Sequence, residues 1–151
     1  MNGVPHHIDI PLRYGDIDAL GHVNNVAYFQ FLEEARVRSF GEWTGDPDRA
    51  AGLTFVVASQ RLEYRSAISY RVKPIRVELW AVSVGTSSLE LGYVVRDHPD
   101  TGDTVYAVAS TLMVHVDAEK QRPAPLTDDL RRVLDNHSGG AVPFRDSGLK
   151  A

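Results

Sequence analysis

YGDIDALGHVNNVAYFQFLEEARVR, residues Tyr14 to Arg38, is the stretch on which the reading of this chain turns. Its first half is a polar loop with two acids, Asp16 and Asp18, a glycine at Gly21, His22, and the pair Asn24 and Asn25. Its second half changes to a helical period. At about 100° per residue, Tyr28, Leu32, Ala35, Ser39 and Trp43 fall on one line. Phe31 flanks that line on one side and Phe29 and Phe40 on the other, while Gln30, Glu33, Glu34, Val37 and Arg38 take the opposite arc. The apolar arc covers roughly half the circumference, wider than the ~100° stripe of a helix that merely rests on a surface. The spacing predicts a helix over Asn25 to Trp43 with another layer wrapped around it. Asn24 or Asn25 can cap its start, Glu34 and Arg38 form a correctly oriented i,i+4 pair, and Gly41, Gly45 and Pro47 end it.

Working outward, His7 to Tyr14 alternates, with Ile8, Ile10, Leu12 and Tyr14 on one side, and Pro11 suits an edge position or a bulge. Beyond a short piece from Asp46 to Gly52, four segments read as strands: Phe55 to Tyr64, Ile75 to Val84, Leu89 to Arg96 and Val105 to Val116. Gly85-Thr86-Ser87 and Pro99-Asp100-Thr101-Gly102 are turn signals that join consecutive strands into antiparallel hairpins. Ser66 to Pro74 is a longer connection in a stretch that carries Arg65, Arg71 and Lys73. Thr127 caps a last short helix, Asp128 to Leu134. The segment from His137 to Ala151, rich in Gly, Ser and charge, reads as a disordered tail after a single domain over 1–136. One strand, one long buried helix and four more strands make an α+β chain, in which the sheet and the helix solve each other's burial problem if the sheet curls around the helix.

Bulk composition narrows the function classes. The chain has 151 residues, is 43% hydrophobic and 24% charged, and sets 16 Lys and Arg against 20 Asp and Glu for a net charge of −4. That balance, without a basic run, argues against nucleic acid or an anionic membrane as partner. There is no cysteine, which excludes disulfides, thiol nucleophiles and cysteine-ligated zinc. The N-terminus has no charged region leading into an apolar core, and no apolar run approaches the ~18 residues of a membrane span. A soluble cytoplasmic protein is the expectation.

Chemistry concentrates in the loop. The chain lacks a G-x-S-x-G elbow, an H-E-x-x-H helix and a G-K-[ST] phosphate loop. The D-x-D at Asp16 and Asp18 is followed by Ala19 and Leu20, and the chain has no alternating strand–helix pattern, so an aspartyl-phosphate enzyme does not fit. A calcium loop fails because Leu20 and Gly21 fall where its ligand and glycine would not match. What remains is a carboxylate upstream of a helix start. Unpaired N–H groups in the first helical turn can hold the oxyanion of a carbonyl under attack, and a nearby carboxylate can act as nucleophile or as base for water. Taken singly, Asp and Asn in such places are most often turn formers and caps.

The string from Arg13 to Arg36, RYGDIDALGHVNNVAYFQFLEEAR, closely resembles the opening motif of the 4-hydroxybenzoyl-CoA thioesterase-like branch of the hotdog-fold superfamily, in a form similar to acyl-CoA thioesterases. LEYRSAI, VGTSSLEL and VYAVASTLMVHVD resemble the family's strands, so the likeness spans about Ile8 to Leu134. The resemblance implies a hotdog fold, a five-stranded antiparallel sheet wrapped around one long central helix. It implies hydrolysis of an acyl-CoA thioester to a carboxylic acid and CoA, with CoA part of the substrate and no cofactor or metal. Asp18 matches the family's catalytic carboxylate, and Asn25 sits where the family uses a backbone N–H as oxyanion donor. His22 and Asn24 belong to the motif as supporting residues, and Glu33 takes a structural role at most. Arg65, Arg71, Lys73, Thr86, Ser87 and Ser88 are the candidates for binding CoA, and a homodimer or homotetramer is implied. The alternatives are a hotdog domain that binds acyl-CoA or an acyl carrier without hydrolysis, and a hotdog hydratase or dehydratase.

Overall fold

The computed structural model describes residues 5–46 and 54–145. In chain order the elements are β1 (His7–Ile10), a 3-10 turn (Tyr14–Asp16), α1 (Ala27–Thr44), β2 (Phe55–Tyr64), β3 (Ile75–Val84), β4 (Ser88–Asp97), β5 (Val105–His115) and α2 (Asp128–Asp135). The five strands form one antiparallel sheet in the order β1-β3-β4-β5-β2. It is the hotdog fold that the loop resemblance implies. The β3–β4 and β4–β5 hairpins are the two announced by the turn signals. β1 and β2 are the edges, which suits Pro11 just past the end of β1.

Alternation decides the inner face. Ile75, Val77, Leu79 and Ala81 on β3, with Leu89, Leu91, Tyr93 and Val95 on β4, are buried toward α1. From α1 they meet Tyr28, Phe31, Leu32, Ala35, Ser39 and Phe40, the arc expected from the period. Register shifts at Val57/Ser59, Ala81/Ser83 and Val95/Arg96 are bulges, which bend and twist strands and let the sheet curl around the helix. α1 packs toward β1 and β3, leaving the inner face of β2 largely open.

Three details differ from expectation. Tyr14 is not the last inward residue of β1: it is 80% exposed in the 3-10 turn and stacks on Tyr70 at 4.7 Å. α1 starts at Ala27, because Asn24 and Asn25 form a turn ahead of it. The third concerns the tail. Its described part, 137–145, does not behave as a disordered chain. The β3 bulge leaves the Ala81 N–H and C=O free, and they bond to His137 O (2.8 Å) and the Gly139 N–H (2.9 Å). The segment then crosses the outer face of the sheet: Trp80 Nε1 donates to Gly140 O at 2.7 Å, Val142 lies over Gly92, Arg61 sits over the Phe144 ring at 4.0 Å, and the Arg145 N–H reaches Glu63 at 3.0 Å. Gly139, read from composition as a sign of disorder, is there for close approach, since a Cβ would stand 2.5 Å from Trp80 Cδ1. Residues 146–151, and the piece after Asp46 up to Gly52, lie outside the described residues.

Candidate active site

The polar loop is closed by its own backbone. Asp16 is 3% exposed and its carboxylate takes the Arg13 side chain (2.8 Å) and the Arg13 N–H (2.9 Å), while its carbonyl accepts the Asn24 N–H at 2.7 Å. Asp16 therefore builds the loop. Asp18 lies across the turn from His22: its N–H donates to His22 O at 2.8 Å, and its Oδ1 accepts the N–H groups of Leu20 (2.9 Å) and His22 (3.3 Å). Gly21, at φ +80°, makes that reversal possible. Oδ2 of Asp18 takes no hydrogen bond among the described residues. His22 pairs with Ser69 through a backbone bridge, so its backbone rather than its ring positions Asp18.

The donors at the start of α1 can be followed one by one. The Asn24 N–H goes to Asp16 O, the Val26 N–H to Asn24 Oδ1 at 3.0 Å, and the Ala27 N–H to Asn24 O at 2.9 Å. The Asn25 N–H has no acceptor among the described residues. Of the two asparagines, Asn24 holds the turn with its side chain, while Asn25 offers its carbonyl to the Tyr64 hydroxyl at 2.7 Å.

A cleft of about 450 Å³ opens here, lined by Asp18, His22, Asn25, Tyr28, Tyr64 and Arg65, with Val23, Ser66 and Ala67 completing the wall. Tyr28 and Tyr64 meet edge to face with centroids 4.9 Å apart. Burial, reinforced by Tyr64 beside it, pushes the Tyr28 phenol up to about 12, and burial raises Tyr64 as well. Both are proton-bearing donors at neutral pH. The sequence reading did not single out either one: Tyr28 sits on the apolar line of α1, and Tyr64 reaches the cleft only because β2 runs along the far edge of the sheet.

The CoA candidates do not come together within one chain. Arg65 is at the cleft, though its guanidinium already bonds Glu63 (3.1 Å) and the Pro143 carbonyl. Arg71 is paired with Asp97 and Lys73 with Asp100. Thr86, Ser87 and Ser88 lie at the other end of the sheet, where Ser87 O takes the His115 N–H and Thr86 O the Leu126 N–H. About nine residues of strand separate that turn from Tyr64, on the order of 30 Å at 3.3 Å per residue. Among the described residues no group of three or more His, Asp or Glu side chains is placed to hold a metal ion, and no helix is long and apolar enough to cross a membrane.

Comparison with known proteins places the fold in a family. The thioesterase-like superfamily matches residues 12–134. The uncharacterized protein YsmA of Bacillus subtilis (strain 168) is 30% identical over 126 residues, 83% of this chain and 82% of YsmA. A thioesterase from Thermus thermophilus, solved in complex with coenzyme A and zinc, superposes with a TM-score of 0.74 at 27% identity, covering 90% of this chain and 96% of that one. The PA2801 protein of Pseudomonas aeruginosa superposes with a TM-score of 0.73 at 35% identity, covering 84% and 95%. With the hotdog sheet, the loop ahead of α1 and a match over most of its length, this chain belongs to the thioesterase-like superfamily.

Proposed function

We propose that this protein hydrolyses acyl-CoA thioesters, with Asp18 as the reacting carboxylate and the Asn25 N–H as oxyanion donor. The observation that carries the reading is the pairing, in one cleft, of an Asp18 carboxylate oxygen and a helix-start N–H that have no hydrogen-bond partner among the described residues. The thioester carbonyl oxygen would lie on the Asn25 N–H, where a donor aimed at developing negative charge is worth about 2.7–4 kcal/mol. Asp18 either takes a proton from water as it adds to the carbonyl carbon or adds itself to form an anhydride that water then opens. In both routes the C–S bond breaks, the sulfur leaves as thiolate and takes a proton, and water supplies the new carboxylate oxygen. The His22 backbone and the Asn24 side chain hold the two groups in place, Tyr64 steadies the Asn25 peptide, and Arg65 is the cation at the cleft for the phosphates of CoA.

The working unit in this reading is a homodimer. β2 is a ten-residue edge strand, open along one side, with Val56, Val57 and Tyr64 exposed, a surface suited to pairing with a second copy. Antiparallel pairing along β2 brings opposite ends of two sheets together, so the Thr86–Ser88 turn of a second copy would move toward this cleft.

Free-thiol release measured across short, long and aromatic acyl-CoAs tests the reading, with crotonyl-CoA hydration run alongside. Asp18→Asn should cut turnover by about 10²–10⁴-fold with the melting temperature unchanged, because the asparagine oxygen still accepts from Leu20 and His22. Wild-type turnover in Asp18→Asn would remove Asp18 from the chemistry. Binding without thiol release over the whole panel would indicate a carrier-binding domain, and hydration of crotonyl-CoA a hydratase.

A further inference from the structure

Arg36 stands on the buried side of α1, beside Ala35, and is 8% exposed. Its Nη2 lies 3.7 Å from Glu33, whose side chain is 70% exposed and therefore a weak counter-charge. Its Nη1 is buried and has no acceptor among the described residues. The Tyr93 hydroxyl, projecting from the inner face of β4, is likewise buried without a partner. Burial raises the Tyr93 hydroxyl, and the Arg36 and Thr111 side chains beside it draw it partly back. Thr111 gives its own hydroxyl to Gln60 Oε1 at 3.2 Å. Among the described residues, Arg36 Nη1 thus meets no acceptor, and the Tyr93 hydroxyl near it has no partner within hydrogen-bond distance. A buried guanidinium left so is costly, and the group that would satisfy it is an acceptor carrying negative charge.

The surroundings say where such a group would come from. Arg36 opens on a cavity of about 260 Å³ whose other walls are Glu33, Val37, Phe40, Phe55, Val57 and Met113. That cavity lies along the seam between α1 and β2. At one end of the seam Tyr64 faces Tyr28 and Asn25, which is the Asp18 cleft; at the other, Phe55 stacks on Phe40 at 5.6 Å. Arg36 is nine residues beyond Ala27, about 14 Å along the helix at 1.5 Å per residue. A seam with mainly apolar walls and a buried cation whose counter-charge, Glu33, is largely solvent-exposed fits a chain of methylenes that ends in a carboxylate.

We propose that Arg36 and the Tyr93 hydroxyl form a subsite for a second carboxylate on the acyl group, so that the preferred substrates are half-thioesters of α,ω-dicarboxylic acids. The proposal rests on the thioesterase reading above and narrows its substrate class. The probes are the mono-CoA thioesters of saturated diacids from adipate to hexadecanedioate, each compared with the monocarboxylic acyl-CoA of equal length. At the length that fits, the intact chain should favour the diacid half-thioester by tenfold or more in kcat/KM. In Arg36→Met that ratio should fall to about one, and Arg36→Lys should keep part of it. Tyr93→Phe, which keeps the ring, should lower the ratio several-fold and serves if Arg36→Met does not fold by circular dichroism. A ratio near one in the intact chain at every length, or a ratio unmoved by both Arg36→Met and Tyr93→Phe, overturns the subsite. Calorimetric titration of the free diacids against the monoacids separates the two readings: diacid affinity that depends on Arg36, without thiol release from any thioester, keeps the subsite and ends the thioesterase reading.

Discussion

Gly92 is the position where packing and propensity make opposite predictions. It faces Trp80 across the β3–β4 pair, on the outer side of the sheet and under the tail. A glycine inside a strand costs conformational entropy, so propensity alone says that Gly92→Ala should stabilise. The structure reverses the sign. A Cβ at 92 would stand 2.8 Å from Trp80 Cε2 and Cζ2 and 2.9 Å from Val142 Cγ2. The indole has little room to retreat, because Nε1 is bonded to Gly140 O at 2.7 Å and Gly139 is pressed against its five-membered ring. Forcing one methyl group into such packing costs about 1–3 kcal/mol. At about 2 kcal/mol, and about 2–4 °C per kcal/mol for a chain of this size, thermal melts should drop by about 4–8 °C. Gly140→Ala, where a Cβ meets nothing within 4 Å, is the control and should melt near wild type. Trp80→Phe should relieve the clash, giving a coupling of at least about 1 kcal/mol in the double-mutant cycle with Gly92→Ala. A Gly92→Ala protein that melts at or above wild type, with no coupling to position 80, would refute the view that the tail clamps this indole.

The remaining predictions concern the charge network and the start of the helix. Burial alone would raise the Asp97 carboxyl, but hydrogen bonds from Tyr106 and the Thr104 N–H, with the Arg71 pair, outweigh it and hold the group below its ordinary 3.8. Asp97→Asn leaves Arg71 unpaired and should cost about 2 kcal/mol in urea unfolding, less than a wholly buried pair because Arg71 is partly exposed. The Arg76 hydrogen bonds lower Asp9 in the same way. A carboxyl depressed in the folded state contributes stability that is complete above its unfolded pKa and lost as the pH falls through 3.8 toward the folded value. Burial lowers His6 and His137 from 6.5, so the unfolded chain takes up their protons first and the decline should begin below that pH; urea midpoints measured between pH 7 and 3 should fall in these two stages. Asn24→Ala removes the side-chain acceptor of the Val26 N–H and should cost about 1 kcal/mol, whereas Asn25→Ala should leave the melt almost unmoved.

The elements were legible because each is written in local periodicity. A wide apolar arc marks a helix that must be covered, and period-two runs bounded by Gly, Asp and Pro turns mark the strands that cover it, so the two patterns together announce a sheet curled on a helix. The loop was legible for a related reason: Asp18, Gly21, Asn24 and the start of α1 are so close in sequence that the turn can be built from residues in hand. Even there, which asparagine holds the turn with its side chain is settled by hydrogen bonds: Asn24 Oδ1 takes the Val26 N–H, and the Asn24 N–H goes to the carbonyl of Asp16, whose carboxylate is held by Arg13.

What only the tertiary structure decided is everything brought about by distant pairing. The order β1-β3-β4-β5-β2 sends β2 to the far edge, which delivers Tyr64 and Arg65 to the cleft and strands Thr86, Ser87 and Ser88 at the opposite end. It also leaves the α1–β2 seam open and sets Arg36 against Tyr93, two residues whose separation in sequence says nothing of their meeting. The tail shows the limit most plainly. Its Gly-Gly and Ser composition is that of a chain too poor in apolar surface to order itself, yet Gly139 is the residue that lets it lie flat on Trp80, and the Gly140 carbonyl accepts the indole N–H. Composition reports what a segment can bury on its own; whether a ready surface waits for it is a property of the folded sheet.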